Sequence, residues 1–283
     1  MPLWRLPWLL PLLLIAYPCL AADEVVRYPR AMAGGDFRPA YPLAQLQLAL
    51  DKTGSPLRIV PSDYAMEQDR ALLSLEQDKV VDVVWTMTSR ERERRLLPVR
   101  IPLDRGLYGW RIALVRDDSR QMLADVHDLA GLSHWRAGQG HDWPDTGILR
   151  SHGLKVETSS SYASLFRMLR AGRFDYFPRA VLEARGELQH TTAQGLVLDE
   201  HLALRYPAAM YFFFSPHNPQ LAETVRQGLE AALADGSFEQ LFQQYHGADL
   251  RDAGMERRRV IELNNPLLPA ETPLQRSELW YRP

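Results

Sequence analysis

The chain has 283 residues, with 33 basic against 35 acidic side chains, a formal net charge of −2, 46% apolar residues and one cysteine. That length and apolar content are enough for two domains of ordinary size, each with its own core. The near-neutral balance offers nothing to attract nucleic acid, and no internal repeat or low-complexity tract breaks the chain.

In chain order, Met1 to Ala22 carries one arginine, Arg5, then a Leu-rich stretch from Trp8 to Leu20 and a closing Ala21-Ala22. This is the pattern of a secretory signal peptide cleaved near Ala22, which would place the mature protein in the periplasm. A membrane anchor is the alternative, but the apolar run is short for a span of about 20 residues. Cys19 would leave with the signal, and Ala16-Tyr17-Pro18 before it do not form a lipoprotein box. A mature chain without cysteine has no disulfide, thiolate metal ligand or cysteine nucleophile.

Val25 to Tyr28 reads as a short strand, followed by a turn through Pro29, Arg30, Gly34, Gly35, Asp36 and Pro39. Leu43, Leu46, Gln47 and Leu50 recur at helical spacing and stop before Gly54. Pro56 to Pro61 reads as a second strand, and Tyr64 to Gln77 as an amphipathic helix with Leu72, Leu73 and Leu75 inside. Val80 to Trp85, β-branched and apolar except at Asp82, is a strand buried on both faces. The βαβαβ order implies a right-handed parallel sheet. Thr86, Thr88 and Ser89 then supply hydroxyls and open backbone where a strand of an α/β sheet ends, which is where such sheets hold ligands. Arg90 to Arg95 carries too many charges to bury them all.

Leu107 to Arg116 alternates and leaves the first unit as an extended hinge segment. A second unit follows, with a strand over Ser133 to Ala137 and a loop from Gly138 to Thr146. There Gly138 and Gly140 allow close backbone approach, Asp142 can cap, and Pro144 suits the first helical position. Such a helix start favours an anion. Asp142 with Asp145 reads as a cap and a first-turn acid, and Trp143 either stacks on a ligand or plugs the lobe. His134, His141 and His152 match no metal-ligand spacing. Leu154 to Thr158 is a strand and Ser161 to Ala171 a helix with Leu165, Phe166, Met168 and Leu169 buried. Ala208 to Ser215 returns as an apolar aromatic strand. The tail from Ala248 to Pro283 carries apolar residues that must pack on something, either the first unit or a partner.

Several stretches resemble the periplasmic solute-binding proteins of family 3, the receptors of polar amino acid ABC transporters. Asp82 to Trp85, Thr86-Met87-Thr88, Ser89-Arg90-Glu91-Arg92, Ile101-Pro102-Leu103 and Tyr108 follow the family's aspartate, Ser/Thr-rich turn, Thr-x-Glu-Arg and exit segment. Val126 to Leu132 resembles its lead-in to the second lobe, Arg173 to Ala180 a strand and turn, and Val225 to Tyr245 its closing helix pair around Asp235-Gly236-Ser237-Phe238. The similarity runs from about Val25 to Gly247. It implies an α/β, two-lobed type II periplasmic binding fold, each lobe a mostly parallel sheet flanked by helices. Residues 1–22 would be the signal, 23–108 with 209–247 the first lobe, 109–208 the second, and 248–283 a tail packed on the first lobe. The two hinge crossings would lie near Tyr108 to Arg111 and Leu204 to Ala209.

On that match Arg92 falls where the family keeps the arginine that holds the ligand carboxylate. The candidate ligand-binding set is Tyr28, Arg30, Trp85, Thr86, Thr88, Arg92, Gln139, His141, Trp143 and Arg179, with no catalytic residue, metal or cofactor. The sequence departs from the family at one position: the aspartate that pairs with the ligand ammonium is replaced by Ala180, with Arg179 beside it. An ammonium buried without a counter-charge costs several kcal/mol, and a cleft faced by Arg30, Arg92 and Arg179 would suit an anion. The implied function is a monomeric periplasmic receptor that closes around a small polar, anionic solute for an ABC-type transporter. The alternatives are a ligand-sensing or scaffold protein for a membrane partner such as a permease, sensor kinase or cyclase, and a small periplasmic enzyme. The fold is reused for small dehydratases and appended to lytic transglycosylases, but no nucleophile-base pair or carboxylate dyad is evident in the cleft stretches.

Overall fold

The computed structural model describes residues 25–31, 38–189 and 193–281, so the signal-peptide expectation and Gly34, Gly35 and Asp36 lie outside the described residues. Strands β1 (Val25–Arg30) and β2 (Arg58–Ala65) pair in parallel, with Val26 opposite Ile59. They are joined by helix α1 (Ala40–Lys52). Helix α2 (Gln68–Glu76) leads to β3 (Val83–Met87) beside β1, where the Asp82 N–H donates to Arg27 O and the Arg27 N–H to the Asp82 carboxylate at 2.7 Å. Strand β10 (Met210–Phe214) lies antiparallel between β3 and β4 (Leu97–Val99). The first lobe thus has the order β2-β1-β3-β10-β4.

The alternation of Val83, Phe212 and Phe214 against Leu46, Leu50 and Leu229 makes the core of this lobe, all with 0% exposure. Helix α8 (Pro219–Asp235) packs so close to α1 that a Cβ at Gly228 would fall 1.9 Å from Ala49 O. Gly236, at φ 81°, ends α8 in the left-handed region and starts α9 (Ser237–Asp252), a turn that a side chain with a Cβ would strain.

In the second lobe β5 (Trp110–Arg116) pairs antiparallel with both β8 (Phe177–Ala180) and β9 (Leu196–Arg205). Strands β6 (Arg136–Gly140) and β7 (Lys155–Ser159) pair in parallel, and Ala137 bridges to Tyr176 just ahead of β8. Strand β11 (Arg259–Glu262) adds in parallel to the outer edge of β9. The order is β7-β6-β8-β5-β9-β11, flanked by the short α4 (Leu129–Leu132), α5 (Pro144–Ser151), α6 (Tyr162–Arg170) and α7 (Val181–Leu188). Both sheets are mixed, because a strand returning across the hinge enters its sheet from the opposite end and runs against its neighbours.

The two lobes meet where the chain crosses at Leu107–Gly109 and again at Tyr206–Ala209. The Tyr206 N–H donates to Gly109 O at 3.0 Å, and a Cβ at Gly109 would lie 1.9 Å from Tyr206 O. Only glycine permits that crossing.

Three sequence expectations need correcting. The second helix begins at Gln68 rather than Tyr64, because β2 continues to Ala65 opposite Arg30. Leu73 is 47% exposed, since Ala71, Leu72 and Leu75 already fill the buried stripe of α2. The tail does not pack on the first lobe alone: β11 covers the open edge of β9 in the second lobe before the chain returns. An unpaired edge strand gains a full ladder that way. Among the described residues no helix is long and apolar enough to cross a membrane.

Candidate functional site

At the end of β3 the strand stops at Met87, Thr88 bends out, and Ser89 caps the short helix α3 (Arg90–Arg95), its hydroxyl accepting from the Arg92 N–H at 3.2 Å. Within α3 the Arg92 side chain turns inward, to 8% exposure. Its guanidinium donates to Thr86 Oγ1 and Met87 O, both at 2.7 Å, and crosses to the other lobe to reach Asp142 O at 2.9 Å. All three acceptors are neutral oxygens. Burial pulls the Arg92 pKa down to about 10, only partly offset by the charges of Asp142, Asp145 and Asp69. Among the described residues no carboxylate is in contact with this buried cation.

The opposing wall is the loop from Gly140 to Trp143. Gln68 Nε2 donates to the Asp142 carboxylate at 3.1 Å and Gln68 Oε1 accepts from the Thr86 hydroxyl at 2.8 Å. His141 stands between Asp69, 3.2 Å from its Nε2, and Asp142, 3.6 Å from its Nδ1. Gln68 and Asp69 are not among the candidates expected from the sequence, where Asp142 reads as a cap. Here Trp143 is the N-cap residue of α5 with no side-chain cap, and Asp142 faces the first lobe. The helix spacing of α2 gave no hint, because Gln68 and Asp69 lie in its first turn, where polar residues are ordinary.

Arg179 has a different setting. It is 2% exposed, and its guanidinium contacts Glu187 at 2.6 Å and Glu183 at 2.8 Å. Trp143 and Phe177 stack against it at 4.7 and 5.0 Å. Tyr162 donates to Glu187 at 2.7 Å and Tyr108 donates to Glu183. Burial disfavours the Arg179 charge, but the two carboxylates outweigh it and hold the pKa well above the usual range. A neighbouring buried cluster joins Arg111 to Asp145 at 2.6 Å, with Tyr206 donating to the same carboxylate. Arg30 is exposed at the end of β1, its N–H donating to Ser62 Oγ at 3.1 Å. A strongly positive cleft built from Arg30, Arg92 and Arg179 is therefore absent: one arginine is exposed, one is neutralised, and Asp69 and Asp142 lie beside the third. The loss of an acid at Ala180 likewise does not strip the lobe boundary of carboxylates.

Of the remaining candidates, Tyr28 and Trp85 pack on each other with ring centroids 6.0 Å apart against the first-lobe core. The Thr88 hydroxyl is committed to Glu93 at 2.5 Å. Gln139 is fully buried; its Nε2 donates to Pro178 O at 3.2 Å while Oε1 has no partner. Gly138 and Gly140 make room for the chain's own Phe174 and Trp143 rings, which a Cβ would meet at 2.2 and 2.5 Å. Trp143 stacks on Phe177 at 6.3 Å, within the second-lobe core. The structure thus unites Thr86, Arg92 and His141 across the lobe boundary, with Trp143 and Arg179 adjoining, and sets Tyr28, Arg30, Thr88 and Gln139 apart. No group of metal-ligating side chains is found among the described residues.

No family model and no curated protein matches the sequence. Solved structures do match the fold. A Salmonella typhimurium periplasmic binding protein with high arginine specificity is 13% identical, with 78% of this chain and 99% of that one covered at a TM-score of 0.59. A histidine kinase sensor domain with similarity to periplasmic binding proteins is 17% identical, with 80% and 96% covered and the same TM-score. An ancestral amino acid-binding protein, a precursor of cyclohexadienyl dehydratase, is 14% identical, with 78% and 95% covered at 0.56. The chain has the two-lobed fold of the periplasmic binding proteins that serve amino acid ABC transporters.

Proposed function

We propose that this protein is an extracytoplasmic binding protein that closes its lobes around a small polar, carboxylate-bearing solute, with Arg92 as the anchor. One observation carries the reading. Arg92 is a buried cation at the lobe boundary whose hydrogen-bond partners are all neutral oxygens, one of them a backbone carbonyl of the opposite lobe. Burial without a counter-charge is costly, and a solute carboxylate that takes the place of Asp142 O would supply that charge through a bidentate fork. Thr86, Gln68 and His141 sit within reach to orient the rest of the solute, and Asp142 with Asp69 could accept an ammonium.

In this reading residues 1–22 direct the chain to the periplasm, the protein works as a monomer without cofactor or catalysis, and an ABC-type permease reads the closed form. Titration calorimetry of the purified chain against amino acids and dicarboxylates tests it. A carboxylate that binds the parent and loses at least tenfold in affinity with Arg92→Gln supports the proposal, and binding indifferent to Arg92 removes it. The direct lobe-to-lobe contacts and the likeness to a histidine kinase sensor domain favour, as a second reading, a sensor that signals by lobe separation. Co-purification with a permease rather than a kinase would decide between them.

A further inference from the structure

The tail touches both lobes in succession. Strand β11 pairs with β9 from Arg259 opposite Leu202 to Glu262 opposite Arg205. Ile261 and Leu263 enter the second-lobe core, and the Arg259 guanidinium donates to Val126 O. Asn264 N–H then donates to His152 Nε2 at 3.1 Å, and Asn265 Nδ2 to Pro207 O, at the hinge, at 2.8 Å. Leu267 is pinched between the lobes. A Cβ at Gly147 on α5 would lie 3.0 Å from its side chain, and its carbonyl accepts from the Arg90 N–H of α3 at 3.0 Å. Arg90 also donates to Pro266 O.

Beyond it the chain is fastened to the first lobe. Arg276 grips Glu230 at 2.6 and 3.0 Å, Leu279 is 1% exposed, and the Tyr281 N–H donates to Arg105 O at 2.7 Å. The Trp280 ring lies 2.4 Å from where a Cβ of Gly106 would stand. Gly106 adopts φ 79°, so the same position that needs glycine for its backbone leaves the space for the ring.

We infer that residues 259–281 form a strap that ties the two lobes together and limits how far they separate. Two hinge crossings alone leave a lobe pair free to swing, because both lie on one side of the boundary. A third connection docked at both ends turns lobe separation into an event that must first undock one end or draw out the slack between Leu267 and Arg276. The strap also grips α3, the helix that carries Arg92, so it sets how far Arg92 can withdraw from Asp142. The inference rests on the two-lobed fold and not on any solute.

The test uses the chain with Cys19→Ser and spin labels at Gln47→Cys on α1 and Lys155→Cys on β7, both exposed, read by pulsed electron resonance without solute. A flexible Gly/Ser insert of about twelve residues between the exposed Ala270 and Glu271 slackens the strap while leaving both docked ends in place. The parent should give one narrow distance distribution, and the insert should add a longer one. Should the insert disturb folding, Arg90→Ala with Arg276→Ala removes the side-chain bonds to Pro266 O and Glu230, loosens the strap without lengthening it and should shift the distribution the same way. Distances unchanged in a folded variant of either kind overturn the inference, whatever the solute experiments show.

Discussion

Arg92 and Arg179 are both buried arginines near the lobe boundary, yet they are built on opposite principles. Arg179 is surrounded by Glu183, Glu187, Trp143 and Phe177, so its charge is fully matched inside its own lobe. Arg92 has only neutral oxygens, one borrowed from the other lobe. A matched cation has nothing to gain from a solute, whereas an unmatched one does. The first therefore belongs to the framework, and the second is the one the proposed function assigns to binding. A residue's type and burial do not separate these roles; the charge of its acceptors does.

The strongest test of that division is to remove one partner of each. Glu187→Leu leaves Arg179 partly uncompensated in a closed core and should lower the unfolding free energy by about 3–5 kcal/mol in urea titration. If the loss is below about 1 kcal/mol, the Arg179 cluster is not the framework described here.

Two other buried groups share the unmatched condition of Arg92 and give opposite pH responses. Asp104, 2% exposed, accepts the Tyr108 N–H at 2.5 Å at the start of the hinge. Burial raises its pKa to about 6, so its contribution to stability is greatest below about pH 4 and is lost as the pH rises to 6. His246 packs against the Tyr41 ring at 4.3 Å, and burial lowers its pKa to about 4. Its contribution is present above about pH 6.5 and is lost as the pH falls to 4. Each is worth about 2–3 kcal/mol across that window, so in the parent they oppose each other. Asp104→Asn should leave a stability that climbs with pH between 4 and 6.5, and His246→Phe one that falls. Parallel profiles for the two variants would contradict both assignments.

The smallest expected effect is the most telling. Arg92→Leu removes a charge that burial already disfavours, and it should change the unfolding free energy by no more than about 1 kcal/mol in either direction while abolishing solute binding. A loss equal to that of Glu187→Leu would erase the contrast between the two arginines.

Where a feature depends on neighbours in sequence, it was legible without the structure. The β-branched run from Val80 marked the strand, and the hydroxyl-rich turn at its end pointed to Thr86 and Thr88, whereas Arg92 stood out from the charged run around it only through the resemblance to family 3. Glu183 and Glu187 escaped notice because their spacing from Arg179 reads as an ordinary helical charge pattern. Nothing local marks that α7 turns them inward onto β8. Gln68 and Asp69 escaped for a related reason: their partners are Asp142 and His141, which another lobe delivers.

The βαβαβ order of the first lobe followed from hydrophobic periodicity and local backbone preference, which act over a few residues, whereas the two-lobed architecture and the turn at Gly236 were expected from the resemblance to family 3. Which charges are paired, and whether the tail serves one lobe or both, was decided only in three dimensions. Electrostatic partners and edge-strand contacts are chosen by distance in space, and residues such as Arg90 and Leu267 are brought together by the fold with no trace of the meeting in the spacing between them.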